Sequence, residues 1–500
     1  MMINTFDWFH KWAAYTPDKI ALKDADSWER LTYAQMNMAA NGIAHYFKHK
    51  HQLQKGDRIA IISENNLAQV LLLGAAQKMG VILVPINYRL AHEEVEYLLN
   101  DSSCRLILYD TLSYDVEQLK YKATYEPIEP YIHFVEDEGQ EYHEELHEDE
   151  PVFILYTSGT TGFPKGTLYT HKMLFWNSIN TALSLEISST TKTLNCMPLF
   201  HTGGWNVLLA PVLHHGGTII MFKKFDASKI LKCIVKEELD LFMGVPTMLK
   251  MMAELPEFEK TDIGNLNYII VGGESMPLDL IRKYHQKKVP IRQGYGLTEV
   301  GPNLTSLHQK EAERKQGSIG KPNFYVKVKI VDDYGKPVKT DKPGELWISG
   351  PMVTPGYWKN PEATKDSIKS GWFKTGDVAK MDKEGFLYIV DRKKHMYISG
   401  GENVYPVEVE RVLLQHHLVN EAVVFGIPHK KWGECGVALL VVSKETTSDA
   451  IRKFCLEKLA KFKVPSEIHF IDTVPKGDTG KIDRKALKST FMAQRKVSPS

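Results

Sequence analysis

Five hundred residues carrying 62 Lys and Arg against 61 Asp and Glu leave a formal net charge of +1 at pH 7, which gives no electrostatic footprint for nucleic acid. A hydrophobic share of 43% over that length can bury more than one domain core. No run approaches the roughly 20 apolar residues of a membrane-spanning helix. Cys104, Cys196, Cys233, Cys435 and Cys455 are odd in number and lack CxxC spacing, so reduced thiols in a cytoplasmic protein are expected rather than a disulfide framework or a zinc site. The opening stretch lacks a basic region followed by an apolar core, so it does not read as a signal peptide.

Along the first 110 residues, strand-like runs at 58–62 and 81–85 alternate with helix-like runs at 68–79 and 92–99. Alternation of this kind predicts a largely parallel sheet covered by helices. From Tyr121 to Pro151 the chain turns acidic and loses periodicity, and it reads as a solvated connection. The apolar run 152–156 predicts a buried strand. A second α/β block follows, with strands at 217–222 and 268–271 and helices at 228–236 and 278–286. Beyond Gly317, short β runs at 325–331 and 344–349 with Gly-containing turns suggest a small barrel-like subdomain. The final hundred or so residues read as a smaller α+β domain, with helices at 405–415 and 448–459 and strands at 421–425 and 437–442.

The run Tyr156–Gly166, YTSGTTGFPKG, follows the end of the 152–156 strand. Gly159, Gly162 and Gly166 would let backbone N–H groups approach phosphate oxygens. Thr157, Ser158, Thr160 and Thr161 add hydroxyl donors, and Lys165 adds a point charge. The spacing is not that of a Walker A loop, because Pro164 precedes the lysine and Gly166 follows it in place of Ser or Thr. If the loop handles ATP, metal must be held elsewhere, and a hard cation calls for carboxylate oxygen.

This loop resembles the phosphate-binding motif of the adenylate-forming (AMP-binding) superfamily, in its acyl-CoA synthetase branch. The resemblance continues in order through MPLFHTGGW, VGGESMP, QGYGLTE, GELWISGP, GWFKTGD, DRKKHMYISGGENVYPVEVE and PKGDTGKIDRKAL, and covers essentially the whole chain. It implies an α/β fold with a large amino-terminal domain over residues 1–391 and a small mobile α+β lid over residues 392–500, hinged near Arg392–Lys394. It further implies ATP, Mg²⁺ and CoA as co-substrates. Residue by residue it assigns nucleotide binding to the glycine-rich loop, Gly273, Glu274, Ser275, Tyr295, Gly296, Asp377, Ile389 and Arg392. Thr298 would reach a phosphate, Glu299 would hold the metal, and Lys481 would neutralise charge on the α-phosphate while the acid's carboxylate attacks it. His201 and Trp205 would border the acyl pocket, Gly400 and Gly401 the thiol channel, and Lys394 the hinge. His395 stands where the family's hinge more usually has Asp.

Amino-acid-activating relatives carry an Asp just after the position of Phe200, to bind an ammonium group; here His201 follows. The runs 202–207, 243–248 and 297–304 offer Glu299 as their only charge, so an acid with an uncharged tail is expected. Medium- or long-chain fatty acids stand first and aryl or cinnamate-type acids second. Transfer to a carrier protein in place of CoA shares every motif and stays open. A noncatalytic binding protein would be expected to have lost Lys481, Glu299 or Asp377, and all three are present. Expected partners are therefore small molecules, with a homodimer as the assembly to consider.

Overall fold

The structure is a computed structural model that describes residues 6–134, 140–157, 164–273, 275–393, 395–399, 402–429, 432–459, 461–476 and 482–497. The chain divides into two compact units, one formed by Met1–Val328 with Ile348–Phe373 and the other by Lys329–Trp347 with Lys374–Ser500.

The first unit holds two sheets. In the six-stranded one the order is Thr124–Pro127, Leu106–Tyr109, Arg58–Ile62, Ile82–Ile86, Pro151–Thr157, Lys165–Thr170. All neighbours are parallel except the last pair, which is antiparallel. The helix Leu67–Met79 is buried along its whole length, as expected of a helix that is apolar all round. Asn66 caps its start by accepting from the Gln69 N–H, and Gly80, at φ 71°, ends it in the left-handed conformation that costs glycine nothing. Each of its buried leucines contributes roughly 1.5–3 kcal/mol. The one cation in this helix, Lys78, is completely buried and answered by the Asp7 carboxylate and the Asn37 amide oxygen, each at 2.7 Å.

The nine-stranded sheet runs Lys321–Pro322, Thr305–Leu307, Ile291–Tyr295, Tyr268–Val271, Leu241–Gly244, Lys192–Asn195, Thr218–Met221, Ile20–Asp24, Arg30–Thr32. Its six central strands, from Ile291–Tyr295 to Ile20–Asp24, are parallel. The period of two sorts its side chains. Phe242, Ile269, Val271 and Ile291 face the core built with helices Ala227–Lys236, Pro246–Ala253 and Leu278–Gln286. Leu241, Met243, Tyr268 and Ile270 face the core built with helices His171–Leu185 and Leu209–His214.

The stretch Tyr121–Pro151 is not simply a solvated connection. Thr124–Pro127 adds an edge strand and Glu129–His133 a 3₁₀ turn, and Ile128 and Tyr131 are buried. Its alternating polar character is that of an edge strand, which composition alone does not separate from a loop.

In the second unit, where a barrel-like subdomain is expected, the described residues contribute to an antiparallel pairing of Trp372–Met381 with Leu387–Arg392, in a five-stranded sheet that also includes Lys327–Val331 and Gly344–Ser349. A second sheet has the order Glu402–Val404, Tyr397–Ser399, Gly433–Val442, Val419–His429, with Glu467–Phe470 parallel to Gly433–Val442. Val424, Ala438 and Leu440 pack on one face of it, Val423, Phe425, Val437 and Leu439 on the other. Glu410, buried, is gripped by both Nη atoms of Arg484 and accepts from the Val424 N–H at 2.7 Å. All five cysteines of the chain are buried and unpaired. No helix among the described residues is long and apolar enough to cross a membrane.

Candidate active site

Strand pairing brings the described ends of the glycine-rich run together. Thr157 and Lys165 stand directly opposite each other across the Pro151–Thr157 and Lys165–Thr170 strands. Beside them lies the 3₁₀ turn Thr298–Val300, which follows the strand Ile291–Tyr295. One carboxylate oxygen of Glu299 accepts from the Thr157 hydroxyl at 3.4 Å and from the Tyr357 hydroxyl at 3.1 Å. Thr298 and Glu299 are half-buried.

Tyr357 carries no motif signal in the sequence, and its place is set by backbone pairing. Tyr357 bridges Thr167 in antiparallel fashion, Trp358 N–H donates to the Gly166 carbonyl at 2.7 Å, and Leu168 N–H donates to the Gly356 carbonyl at 3.1 Å. The Glu299 carbonyl in turn accepts from Thr354 N–H at 2.8 Å. The ammonium of Lys165 lies 5.4 Å from the Tyr357 ring centre, a cation–π contact. Burial, and then the Glu299 charge, push the Tyr357 phenol far above its ordinary value, so at neutral pH it stays a donor. Thr157, Lys165, Glu299 and Tyr357 thus form one cluster of hard oxygen donors and a cation.

Just past the strand Tyr268–Val271, which pairs with Ile291–Tyr295, Gly273 has φ 85° and an added Cβ would meet only Val245, at 3.9 Å. Ser275 Oγ accepts from the Gln293 amide at 3.3 Å, and Tyr295 is half-buried opposite Thr305. Gly296 is obligatory in another sense: an added Cβ would sit 2.0 Å from the Pro302 carbonyl oxygen. His201 stands just before the short helix Thr202–Asn206, its ring 4.6 Å from that of Phe200. An added Cβ at Gly203 would touch nothing within 4 Å.

Trp205 is fully buried, with its ring 5.0 Å from that of Phe153, so its indole fills the core behind the segment. Trp205→Ala is expected to cost about 3–5 kcal/mol of unfolding free energy, readable as a lowered denaturant midpoint. A change below about 1 kcal/mol would show the indole to be dispensable to packing.

The second unit, taken by itself, holds an acid–base pair. Strand register sets Asp377 opposite Arg392, and Arg392 Nε lies 2.6 Å from an Asp377 carboxylate oxygen. Asp377 is buried, and its N–H donates to Thr375 Oγ1 at 3.0 Å. Ile389, on the same strand as Arg392, is half-buried and its carbonyl accepts from Arg411 at 3.1 Å. His395 Nδ1 lies 3.5 Å from the buried carboxylate of Asp391, which also accepts from Val407 N–H at 2.9 Å. Ser158, Gly159, Thr160, Thr161, Gly162, Glu274, Lys394, Gly400, Gly401 and Lys481 lie outside the described residues.

Sequence reasoning passed over Tyr357 and Arg292. Arg292 precedes QGYGLTE directly and falls just outside the runs searched for charge, yet it is 95% buried, with 5% of its surface exposed. A charged residue at an alternating apolar position of a core strand is the signal that marks it.

Comparison with known proteins supplies the family. The model of the AMP-binding enzyme family matches residues 9–358 and that of its C-terminal domain residues 408–481. The long-chain-fatty-acid–CoA ligase FadD13 of Mycobacterium tuberculosis is 36% identical over 475 residues, 93% of this chain and 94% of the relative. Feruloyl-CoA synthase of an Amycolatopsis species is 34% identical over 464 residues, 92% of this chain and 94% of the relative. The solved o-succinylbenzoate CoA synthetase (MenE) of Bacillus subtilis, in complex with its acyl-adenylate intermediate, superposes with a TM-score of 0.88 at 33% identity, covering 96% of this chain and 98% of that one. The same synthetase has been solved with ATP and a magnesium ion.

Proposed function

The chain belongs to the AMP-binding enzyme family, and on that premise we propose roles for its individual residues. It is an acid–thiol ligase that joins an acyl or aryl acid to CoA through an AMP-linked intermediate, with ATP, Mg²⁺ and CoA as co-substrates. The carboxylate attacks the α-phosphorus and pyrophosphate departs. The CoA thiol then attacks the acyl carbon and AMP departs. The attacking carboxylate is already ionised at neutral pH, so the first step needs positioning and charge neutralisation rather than a general base.

The observation that carries our assignment is the convergence of the Thr157 and Tyr357 hydroxyls on Glu299, with the Lys165 ammonium over the Tyr357 ring. Its oxygen donors suit Mg²⁺, which supplies charge neutralisation on the phosphates when bound. Glu299 would hold the metal, with Thr157 and Tyr357 fixing its carboxylate. Lys165, Thr298 and the glycine-rich loop would grip phosphate, and Gly273, Ser275, Tyr295 and Gly296 would flank adenine. Asp377 would receive the ribose hydroxyls, its carboxylate oriented by Arg392. His201 borders the acid, residues 1–391 form the adenylating body and residues 392–500 a lid hinged at Lys394. We assign the reaction to the cytoplasm, consistent with five unpaired thiols.

The relatives divide between a long-chain fatty acid and aromatic acids. The absence of an Asp after Phe200 supports an acid without an ammonium group, fatty or aryl. Product analysis tests the whole: with a panel of acids, AMP, pyrophosphate and acyl-CoA are expected in equal amounts. ADP and phosphate, or AMP release indifferent to CoA, would overturn this reading.

A further inference from the structure

Buried charges in folded proteins are paired, because an uncompensated one costs several kcal/mol. Lys78 obeys this rule through Asp7. Arg292 does not. Its Nε and Nη1 have no hydrogen-bond partner, and no carboxylate pairs with it among the described residues. Its guanidinium carbon lies 5.0 Å from the Tyr268 ring centre, and a side-chain hydrogen bond to the Tyr268 hydroxyl answers only part of the fork.

Register places this cation. Met243, Ile270 and Arg292 stand side by side on neighbouring strands, so they share one face of the nine-stranded sheet. Ser184 and Leu185 border the same small cavity as Ile270 and Arg292, which puts the end of helix His171–Leu185 across from it. Two residues further along each strand, about 7 Å toward the carboxyl ends, the same face carries Gly272 and Gly294. An added Cβ on Gly272 would meet its first atom at 3.9 Å, and one on Gly294 at 3.6 Å. The two glycines therefore leave the sheet face bare between the nucleotide-flanking Tyr295–Gly296 and Arg292.

At the inner end is a cavity of about 10 Å³, bordered by Arg292, Gly294, Asn303 and Asn323. It has room for one water or one ligand oxygen. Asn303 also donates to the carbonyls of Asn206 and Val207, at 3.3 and 3.2 Å, tying this end to the His201 segment.

We propose that Arg292 reads the remote end of the acid: the substrate lies over Gly272 and Gly294 and carries, away from its reacting carboxylate, an acceptor oxygen of the phenol or phenolate type that the guanidinium takes. A guanidinium offers only donors, and a saturated hydrocarbon end would leave it unanswered. This rests on the reading of the cleft as the acid site, and it selects an oxygenated aryl acid over a fatty acid.

The test is a specificity ratio. Wild-type protein is assayed for AMP release with paired acids differing in one distal oxygen: para-hydroxycinnamate against cinnamate, para-hydroxybenzoate against benzoate, and ω-hydroxydecanoate against decanoate. At least one aryl pair should favour the oxygenated acid in kcat/KM by roughly 10- to 100-fold, the range of a hydrogen bond to a charged group. In Arg292→Met that ratio should fall toward one. Arg292→Lys, which keeps the charge but not the fork, should fall between. Thermal unfolding separates this from a packing role: loss of an unpaired buried charge should leave Tm unchanged or raised. A lowered Tm with all acids losing rate in the same proportion would make Arg292 a structural residue and overturn the proposal. So would a wild-type ratio near one for every pair, or a preference that survives in Arg292→Met. If the methionine variant fails to fold, the wild-type ratio and the lysine variant still decide. If no acid yields AMP, the cleft reading itself fails.

Discussion

Replacing Lys481 by alanine is expected to lower the rate of adenylation by on the order of 10²–10³, about 3–4 kcal/mol of transition-state stabilisation. The lysine's charge matters while negative charge accumulates at the α-phosphate and pyrophosphate begins to leave. It matters much less in the second half-reaction, where a thiol attacks a carbonyl carbon. Two assays on one variant separate these demands: pyrophosphate exchange from acid and ATP, and thioester formation from synthetic acyl-AMP and CoA. The first should collapse while the second persists. Unfolding should shift by less than roughly 0.5 kcal/mol if the role is in the chemistry rather than in folding. Equal loss in both assays, or an intact first one, removes Lys481 from the role proposed here.

The other large effect is expected at Glu299. Glu299→Ala removes the acceptor of two hydroxyls and the only carboxylate in its cluster. Adenylation should fall by on the order of 10²–10³. Loss of the Tyr357 hydroxyl's bond to Glu299 should also cost about 0.5–1.5 kcal/mol of stability. Glu299→Gln divides these effects, because the amide oxygen can still accept from Thr157 and Tyr357 while the charge is gone. The glutamine variant should recover stability but not rate, and the Mg²⁺ concentration for half-maximal activity should rise about tenfold or more. A glutamine variant with near-native rate and Mg²⁺ dependence would mean that Glu299 only braces the loop.

Periodicity sufficed where local pattern decides structure. The strand Tyr268–Val271 and the helix Leu278–Gln286 occur where alternating and helical spacing put them. Motif order located Thr157, Lys165 and Glu299, and the fold brings those three into one cluster. Tyr357 was not legible, because it owes its position to a backbone bridge with Thr167 that no local window contains. Arg292 escaped for a related reason: its unusual feature is a buried guanidinium whose Nε and Nη1 lack partners, and partners are assigned only by tertiary structure. For Trp205 the motif names the residue but not which way its indole turns, and burial against Phe153 is visible only in the fold. Thr124–Pro127 shows the limit of composition, since edge strands and loops share the same polar residues.

The buried cysteines bear on the chemistry from another direction. An acyl adenylate is a strong acylating agent, and any protein thiolate within reach would compete with CoA for it. Burial raises the thiols of Cys104, Cys196 and Cys233 to about 12 and that of Cys455 to about 11, and raises Cys435 as well. A thiol at about 12 is ionised at neutral pH to only about one part in 10⁵, and the thiolate is the nucleophile. Cys196 is the instructive case, because it sits immediately before the Met197–Trp205 segment, which holds the His201 that we propose borders the acid. Enclosed there, 97% buried, it packs as a small apolar side chain and leaves the activated acyl group to the thiol that arrives from solution.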